Sequence, residues 1–241
     1  MRRPLDVPLL RRRLMDRRIT AIRRRGKYLL LDTDPAGSLL IHLGMSGRML
    51  LSDAHAPRLA HTHLALRLDS GPELRLVDPR RFGFAQWLDP GGEATDPSLS
   101  ALGVEPLSNE AEDLLPPLLH ARRSPIKSLL LDQRLVAGIG NIYAVESLWR
   151  AGIRPSRLGS RISLGRLERL VREIRAVLQE AVEQGGTTLR DFSAPEGNFG
   201  YFAVRLQAYG RAGEPCARCA TELREGRIGG RSTPFCPICQ R

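Results

Sequence analysis

Apolar and polar positions alternate with a period of two through much of the first half of the chain, and recur at helical spacing through the second. Around Lys27, the run KYLLLDTD, the turn PAGS and the run LLIHLGMSGRMLL read as two strands joined by a hairpin. HLALRLD, a Ser-Gly-Pro turn and ELRLVD read as a second hairpin, and FGFAQWL as a further short strand. Residues 106–112, PLSNEAE, are polar and turn-rich and mark a domain boundary. Beyond them SPIKSLLLDQ, NIYAVESLWRAG and SLGRLERLVREIRAVLQEAVEQ carry helical spacing. In the last of these, Leu, Val and Ile recur every three or four residues, with arginines on the solvated face. GGTTLRDFSAPEGNFG is a Gly-rich loop, a Cys-rich tail closes the chain, and no internal repeat is present.

Composition narrows this picture. At 241 residues with 42% apolar and 26% charged positions, the chain can bury a real core, and wholesale disorder is excluded. No apolar run approaches the ~18–20 residues of a membrane-spanning helix, so no membrane association is expected. The start, MRRPLDVPLLRRR, lacks a continuous apolar stretch, so no secretory signal is expected, and Asp6 and two prolines count against a transit peptide. The net charge of +11 is unevenly spread: residues 1–28 hold ten Arg and one Lys against two Asp. Of 37 basic residues 35 are arginine, leaving Lys27 and Lys127 as the only lysines. Where arginine is so favoured, a retained lysine points to a need for an amine that can lose its proton or act as a compact charge.

The tail carries the firmest chemistry. Cys216-x2-Cys219 and Cys236-x2-Cys239, sixteen residues apart, are the only cysteines and present four thiolates to a tetrahedral ion. Two disulfides are the alternative, favoured only in an oxidising compartment. One structural Zn2+ is expected, since four thiolates leave no open position for catalysis. The surrounding segment is basic, with Arg205, Arg211, Arg218, Arg224, Arg227, Arg231 and Arg241 against three Glu, which suits nucleic-acid phosphate or simple solubility. Gly138, Gly140 and Asn141 stand before a helix, either as a plain cap or as a phosphate cradle with Lys127 as a second contact. DPRRFGF offers a guanidinium and an aromatic wedge on one tight turn, as needed to fill the gap left by an extruded base. His61 and His63 on HTHLAL read as a polar contact, plain surface or a metal pair; Asp32, Asp34 and Asp78 read as turn formers.

In order along the chain, RRGKYLLLD, HLGMSG, DPRRFG, LGVEPL, IKSLLLDQ, AGIGNIYA, GYFAVRLQAYGRAGEPC and GGRSTPFCPICQ resemble the formamidopyrimidine-DNA glycosylase family, from about residue 20 to the C-terminus. DPRRFG with HLGMSG favours its oxidised-purine branch over the endonuclease VIII-like one. The resemblance implies an α+β multidomain fold: a truncated N-terminal β-sandwich lobe (1–106), a helical lobe with a helix–two-turn–helix motif (107–200), and a C-terminal zinc-finger β-hairpin (201–241). It implies damaged double-stranded DNA as partner, a monomer, and a bacterial cytoplasmic, nucleoid-associated location. In such enzymes an N-terminal proline amine attacks C1′ of a flipped nucleotide, and β- and δ-elimination then cut the strand. Residue by residue, Lys27 matches the lysine assisting β-elimination and Arg231 the finger arginine assisting δ-elimination. Met45, Arg80 and Phe82 match the void-filling and wedging residues, and His61, Arg123, Lys127 and Asn141 the backbone-contacting positions. A lesion-capping loop is expected near 191–202.

One departure stands out. The family begins Met-Pro-Glu-Leu-Pro-Glu-Val-Glu, and that peptide, with its helix, has no match here; Pro4 is internal and its nitrogen is an amide. A nucleophile needs a free amine. The expectation is therefore base-excision repair of formamidopyrimidine and 8-oxoguanine by a bifunctional glycosylase and AP lyase if the gene starts further upstream. The alternatives are a damaged-DNA-binding protein without the nucleophile, or a zinc-ribbon RNA-binding protein.

Overall fold

The alternation of the first hundred residues becomes two antiparallel sheets in the computed structural model, which describes residues 1, 3–185 and 206–241. The chain divides into two units, Met1–Ser100 and Ala101–Arg241. The Gly-rich stretch 186–205, the expected lesion-capping loop near 191–202 and Arg205 lie outside the described residues.

In the first unit a short helix, α1 (Val7–Leu14), starts at Asp6, whose carboxylate accepts a hydrogen bond from the Leu9 N–H at 2.9 Å. The strands β1 (Arg18–Arg25), β2 (Tyr28–Asp34), β3 (Gly37–His42) and β7 (Phe84–Leu88) form one sheet in the order β1-β2-β3-β7. The strands β4 (Arg48–Ser52), β5 (Thr62–Arg67) and β6 (Glu73–Val77) form a second, in the order β4-β6-β5. Leu31, Leu39, Ile41, Ala85 and Trp87 of the first sheet bury against Leu64, Leu66, Leu74 and Leu76 of the second, with Leu10 of α1 in the same core. Two inner faces sharing one apolar layer make a β-sandwich.

Three details depart from the sequence reading. The run LLIHLGMSGRMLL is two strands, β3 and β4, which sit in different sheets and are joined across Leu43–Gly47. Asp32 is a strand residue paired with Arg23 at 2.5 Å, not a turn former. Finally, α1 and β1 carry no period that predicts them. RITAIRRR lies on the edge of its sheet with only Arg25 half-buried, so its order comes from backbone pairing with β2.

The second unit is helical. It holds α4 (Ala111–His120), α5 (Ile126–Leu131), α6 (Asn141–Ala151) and α7 (Leu164–Glu183), then the hairpin β8 (Arg224–Ile228) and β9 (Arg231–Phe235). The four-residue spacing of Ala111, Leu115 and Leu119 packs α4 against Leu167, Leu170, Val171 and Ile174 of α7. Hence α4 starts inside the stretch read as a polar boundary, with Pro116 and Pro117 obscuring its pattern. Two helices of four residues each, α2 (Gly92–Thr95) and α3 (Pro97–Ser100), close the first unit.

Candidate nucleic-acid interface and metal centre

The first unit gathers several candidates around one carboxylate. Arg25 pairs with Tyr28, so Gly26 and Lys27 form a two-residue loop between β1 and β2. Gly26 takes a φ of 55° and is buried, while Lys27 is exposed at the tip. Behind it, rings line up across strands: Tyr28 and His42 are 4.9 Å apart, and His42 stacks on Phe84 at 5.8 Å.

Asp78 is fully buried at the end of β6 and reaches two loops through its side chain. Its carboxylate accepts from the Ser46 hydroxyl at 2.6 Å and from the Gly83 N–H at 2.7 Å. The Ser46 oxygen in turn accepts from the Arg80 N–H at 3.2 Å. Its backbone fixes a third loop: the Asp78 N–H donates to the His61 carbonyl, and the Asp78 carbonyl meets His63 Nε2, both at 3.0 Å. Burial alone would push the Asp78 carboxyl up, but Ser46, the Gly83 and Arg80 N–H groups and His63 outweigh it and hold it below its ordinary value.

The loops that Asp78 ties carry Met45, His61, Arg80 and Phe82. Met45 is 60% exposed and Phe82 44%, so both present apolar surface outward from the tied loops. The Arg80 guanidinium lies over the Phe82 ring at 4.9 Å. The two loops touch backbone to backbone, since a Cβ on Gly44 would come within 2.6 Å of the Gly83 nitrogen. Sequence reading took Asp78 as a turn former and missed this gathering role; the signal was an acid five residues before a glycine N–H.

In the second unit the candidates meet at the finger hairpin. Ile228 pairs with Arg231, so Gly229 and Gly230, with φ of 59° and 73°, make a two-residue turn and Arg231 is the first residue beyond it, exposed. Lys127, on the first turn of α5, is fully buried. Its ammonium donates to the Ser232 carbonyl at 2.9 Å and the Thr233 hydroxyl at 2.6 Å. Burial, and then the neighbouring Arg231 charge, push its pKa down to about 8. The Asn141 amide also donates to the Ser232 carbonyl, at 3.1 Å, and its own oxygen is buried without a partner among the described residues. Thus Lys127 and Asn141 both clamp the residue after Arg231. Arg123 is exposed between α4 and α5, with no hydrogen bond or ion pair among the described residues.

The α5–α6 connection is a built double turn. Gln133 donates to the Leu131 and Ile139 carbonyls and accepts from the Gly138 N–H, each at 3.0 Å. Gly140 opens α6 with extended backbone and no side-chain cap, leaving first-turn N–H groups to face an anion. Two further residues escaped sequence reading. Buried Glu146 accepts from the N–H groups of Gln207, Ala208 and Tyr209 at 3.0, 2.9 and 2.7 Å, anchoring that segment to α6. Buried Gln240 links the Cys236 N–H to the Ile153 carbonyl.

The four cysteines converge: their sulfurs lie within 4.8 Å of one another, and those of Cys219 and Cys236 are 3.5 Å apart. A tetrahedron with metal–sulfur bonds near 2.3 Å has edges of about 3.8 Å, so this donor set fits one Zn2+. The thiols split as crowded charges must. Thr221, by its hydroxyl and N–H, brings Cys219 down to about 6, while burial and the other sulfurs push Cys239 up to about 12. A divalent cation resolves that conflict by holding all four as thiolates.

A sandwich unit with a wedge-bearing loop cluster, and a helix–two-turn–helix unit with a zinc-finger hairpin, define a DNA glycosylase of the helix–two-turn–helix class. Family models agree along the chain: the formamidopyrimidine-DNA glycosylase N-terminal domain over residues 1–85, its H2TH domain over 102–193, and the zinc finger found in FPG and IleRS over 213–241. The chain belongs to the formamidopyrimidine-DNA glycosylase family. It is 48% identical to the formamidopyrimidine-DNA glycosylase of Xanthomonas euvesicatoria pv. vesicatoria over 224 residues, 92% of this chain and 82% of that one. It is also 48% identical to that of Alcanivorax borkumensis over 229 residues, 95% and 84% of the two chains. Among solved structures, MutM (Fpg) from Thermus thermophilus matches with a TM-score of 0.84 at 42% identity, covering 93% of this chain and 83% of that one. Lactococcus lactis Fpg in complex with abasic-site DNA matches with 0.88 at 35% identity, covering 97% and 86%.

Proposed function

We propose that this chain serves base-excision repair, recognising oxidised purines in duplex DNA and assisting strand cleavage at the site. The observation that carries this reading is the loop cluster that Asp78 holds. It presents an apolar finger (Met45), a wedge (Phe82) and a guanidinium (Arg80) on backbone too tightly packed to yield. Such a rigid group suits the space left when a damaged nucleotide leaves the stack.

Roles follow for the remaining residues. His61, Arg123 and the first turn of α6 at Asn141 meet backbone phosphates, and Lys127 holds the hairpin that presents Arg231. Lys27 offers an amine at a hairpin tip, where it assists β-elimination: it condenses with the C1′ aldehyde of an abasic site, releasing water, and the Schiff base so formed lets the C2′ proton and then the 3′ phosphate leave. Arg231 binds phosphate and assists the second elimination. The N-terminal proline amine implied by the resemblance has no counterpart among residues 1–241, so each role here is assigned to a residue the chain has. The reading divides these roles among 1–106, 107–200 and 201–241. It takes one structural zinc, a monomer, and the bacterial cytoplasm beside the nucleoid.

Borohydride trapping on abasic duplex DNA tests the reading. A covalent adduct that disappears in Lys27→Ala, while binding to abasic duplex persists, is the expected result. No preference for lesion-containing duplex over undamaged DNA or RNA would sink the reading itself.

A further inference from the structure

Each unit contains a pocket lined by arginines, and the two differ in what neutralises them. In the first unit Arg23, Arg24 and Arg25 line a cavity together with Glu93, and Arg23 is paired with both Asp32 and Glu93. In the second unit a cavity of about 510 Å³ lies between the α6–α7 connection and the last turn of the finger. Four arginines line it, Arg154, Arg157, Arg161 and Arg241, and no Asp or Glu does. Among the described residues none of the four takes part in an ion pair.

Three of the four side chains are also held in place. Arg154 lies over the Phe235 ring at 5.2 Å, Arg157 donates to the Arg161 carbonyl at 3.0 Å, and Arg241 to the Ile238 carbonyl at 3.2 Å. Neighbouring Arg166 feels the surplus: burial, then the charges of Arg157 and Arg169, lower its pKa below the ordinary arginine value. The Arg241 main-chain oxygen accepts from Arg166 at 2.7 Å, and among the described residues no acidic side chain faces the other guanidinium groups. Like-charged side chains fixed around a cavity raise the free energy of the empty site, and a polyanion removes that cost.

The cavity is continuous with the candidate interface through the backbone, though it shares no residue with it. The Ile126 N–H donates to the Arg157 carbonyl at 2.7 Å and the Lys127 N–H to the Pro155 carbonyl at 3.2 Å. We propose that this arginine pocket is a second, sequence-independent site for the phosphate backbone of DNA outside the lesion. The proposal rests on the DNA-binding reading above, and it adds grip along the strand without taking part in recognising damage.

The test is the salt dependence of binding by the full zinc-loaded protein to a long lesion-containing duplex and to its undamaged counterpart. In Arg154→Gln/Arg157→Gln/Arg161→Gln the slope of log affinity against log salt should fall by about 2 to 3, at ~0.9 for each phosphate no longer neutralised. The ratio of lesion to undamaged affinity should stay at the wild-type value. Should the triple variant fold poorly, as zinc content and melting temperature report, Arg154→Gln/Arg161→Gln removes no side-chain hydrogen bond among the described residues and should lower the slope by about 2. An unchanged slope overturns the proposal. So does a lost slope accompanied by a collapsed lesion ratio, which would place the arginines in damage recognition. Displacement by inorganic polyphosphate with an unaltered DNA slope would assign the pocket to a free phosphate ligand and overturn it too. A wild-type protein that shows no lesion preference defeats the DNA-repair reading instead, whatever the slopes do.

Discussion

The two units place their exposed contact residues in front of a buried charge, but the charges differ in sign and in how they are compensated. Asp78 sits behind Met45, Arg80 and Phe82 with donors on both carboxylate oxygens, and its charge is stabilised. Lys127 sits behind Arg231 with only neutral acceptors and a guanidinium nearby, and its charge is destabilised. Burial with matched donors makes a rigid joint, whereas burial beside a like charge makes one whose proton is loosely held. The loop cluster is therefore built to resist acid, and the clamp is sensitive to base.

Removing the metal should separate the two most sharply. Chelation of zinc withdraws a stabilisation of order 10 kcal/mol from the finger. It should release the β8–β9 hairpin and Arg231 and leave the sandwich unit folded. Hydrogen exchange measured unit by unit would show it, and equal loss of protection in both units would mean they do not fold independently.

A smaller effect tests the carboxylate. Asp78→Ala leaves the Ser46 hydroxyl and the Gly83 N–H without their buried acceptor, at a cost of about 3 kcal/mol in the sandwich unit. Thermal unfolding should register that loss, and lesion binding should fall with it. Because the folded pKa of Asp78 is lowered, its contribution is present above the unfolded carboxyl value and fades as pH falls through the folded one. The difference in stability between wild type and the variant should shrink in strong acid. A pH-independent difference would show that the carboxylate charge is not what matters.

The smallest stability change is expected at Lys127. Its folded pKa of about 8 lies below its ordinary 10.5, so the folded state binds fewer protons between those values. Wild-type stability should then rise relative to Lys127→Met as pH climbs through that window, and at neutral pH the variant should be as stable as wild type or slightly more so. DNA affinity should fall nonetheless, because Ser232 would keep only Asn141 as its side-chain clamp. Unfolding curves at pH 7 and pH 10 with parallel binding measurements would decide it; a variant destabilised equally at both would break the contrast with Asp78.

How much of this was legible beforehand depends on whether a feature is local. The strands β2 and β3 after Lys27, the long α7 and the four-cysteine centre follow from spacing alone, because each is written within a few dozen residues. The edge strand β1 was not, since seven of its eight residues face solvent and pairing rather than burial orders it. Lys127 was singled out by the scarcity of lysine, yet its burial against Ser232 and Thr233 joins positions 105 and 106 residues apart, which no local pattern encodes. Asp78, Gln133 and Glu146 are common residue types whose importance lies in which distant or backbone polar groups converge on them.

The close approach of Gly44 to Gly83 bears on how this family of loops can change over time. Neither position can take even a methyl group without pushing backbone aside, Gly44 because of the neighbouring Phe82–Gly83 backbone and Gly83 because of the His42 carbonyl 2.6 Å from its would-be Cβ. The inner seam of the cluster is closed to experiment by mutation. Novelty in what the loops recognise has to be written on their outer side, at the exposed tips of Met45, Arg80 and Phe82, where a new side chain need not displace backbone.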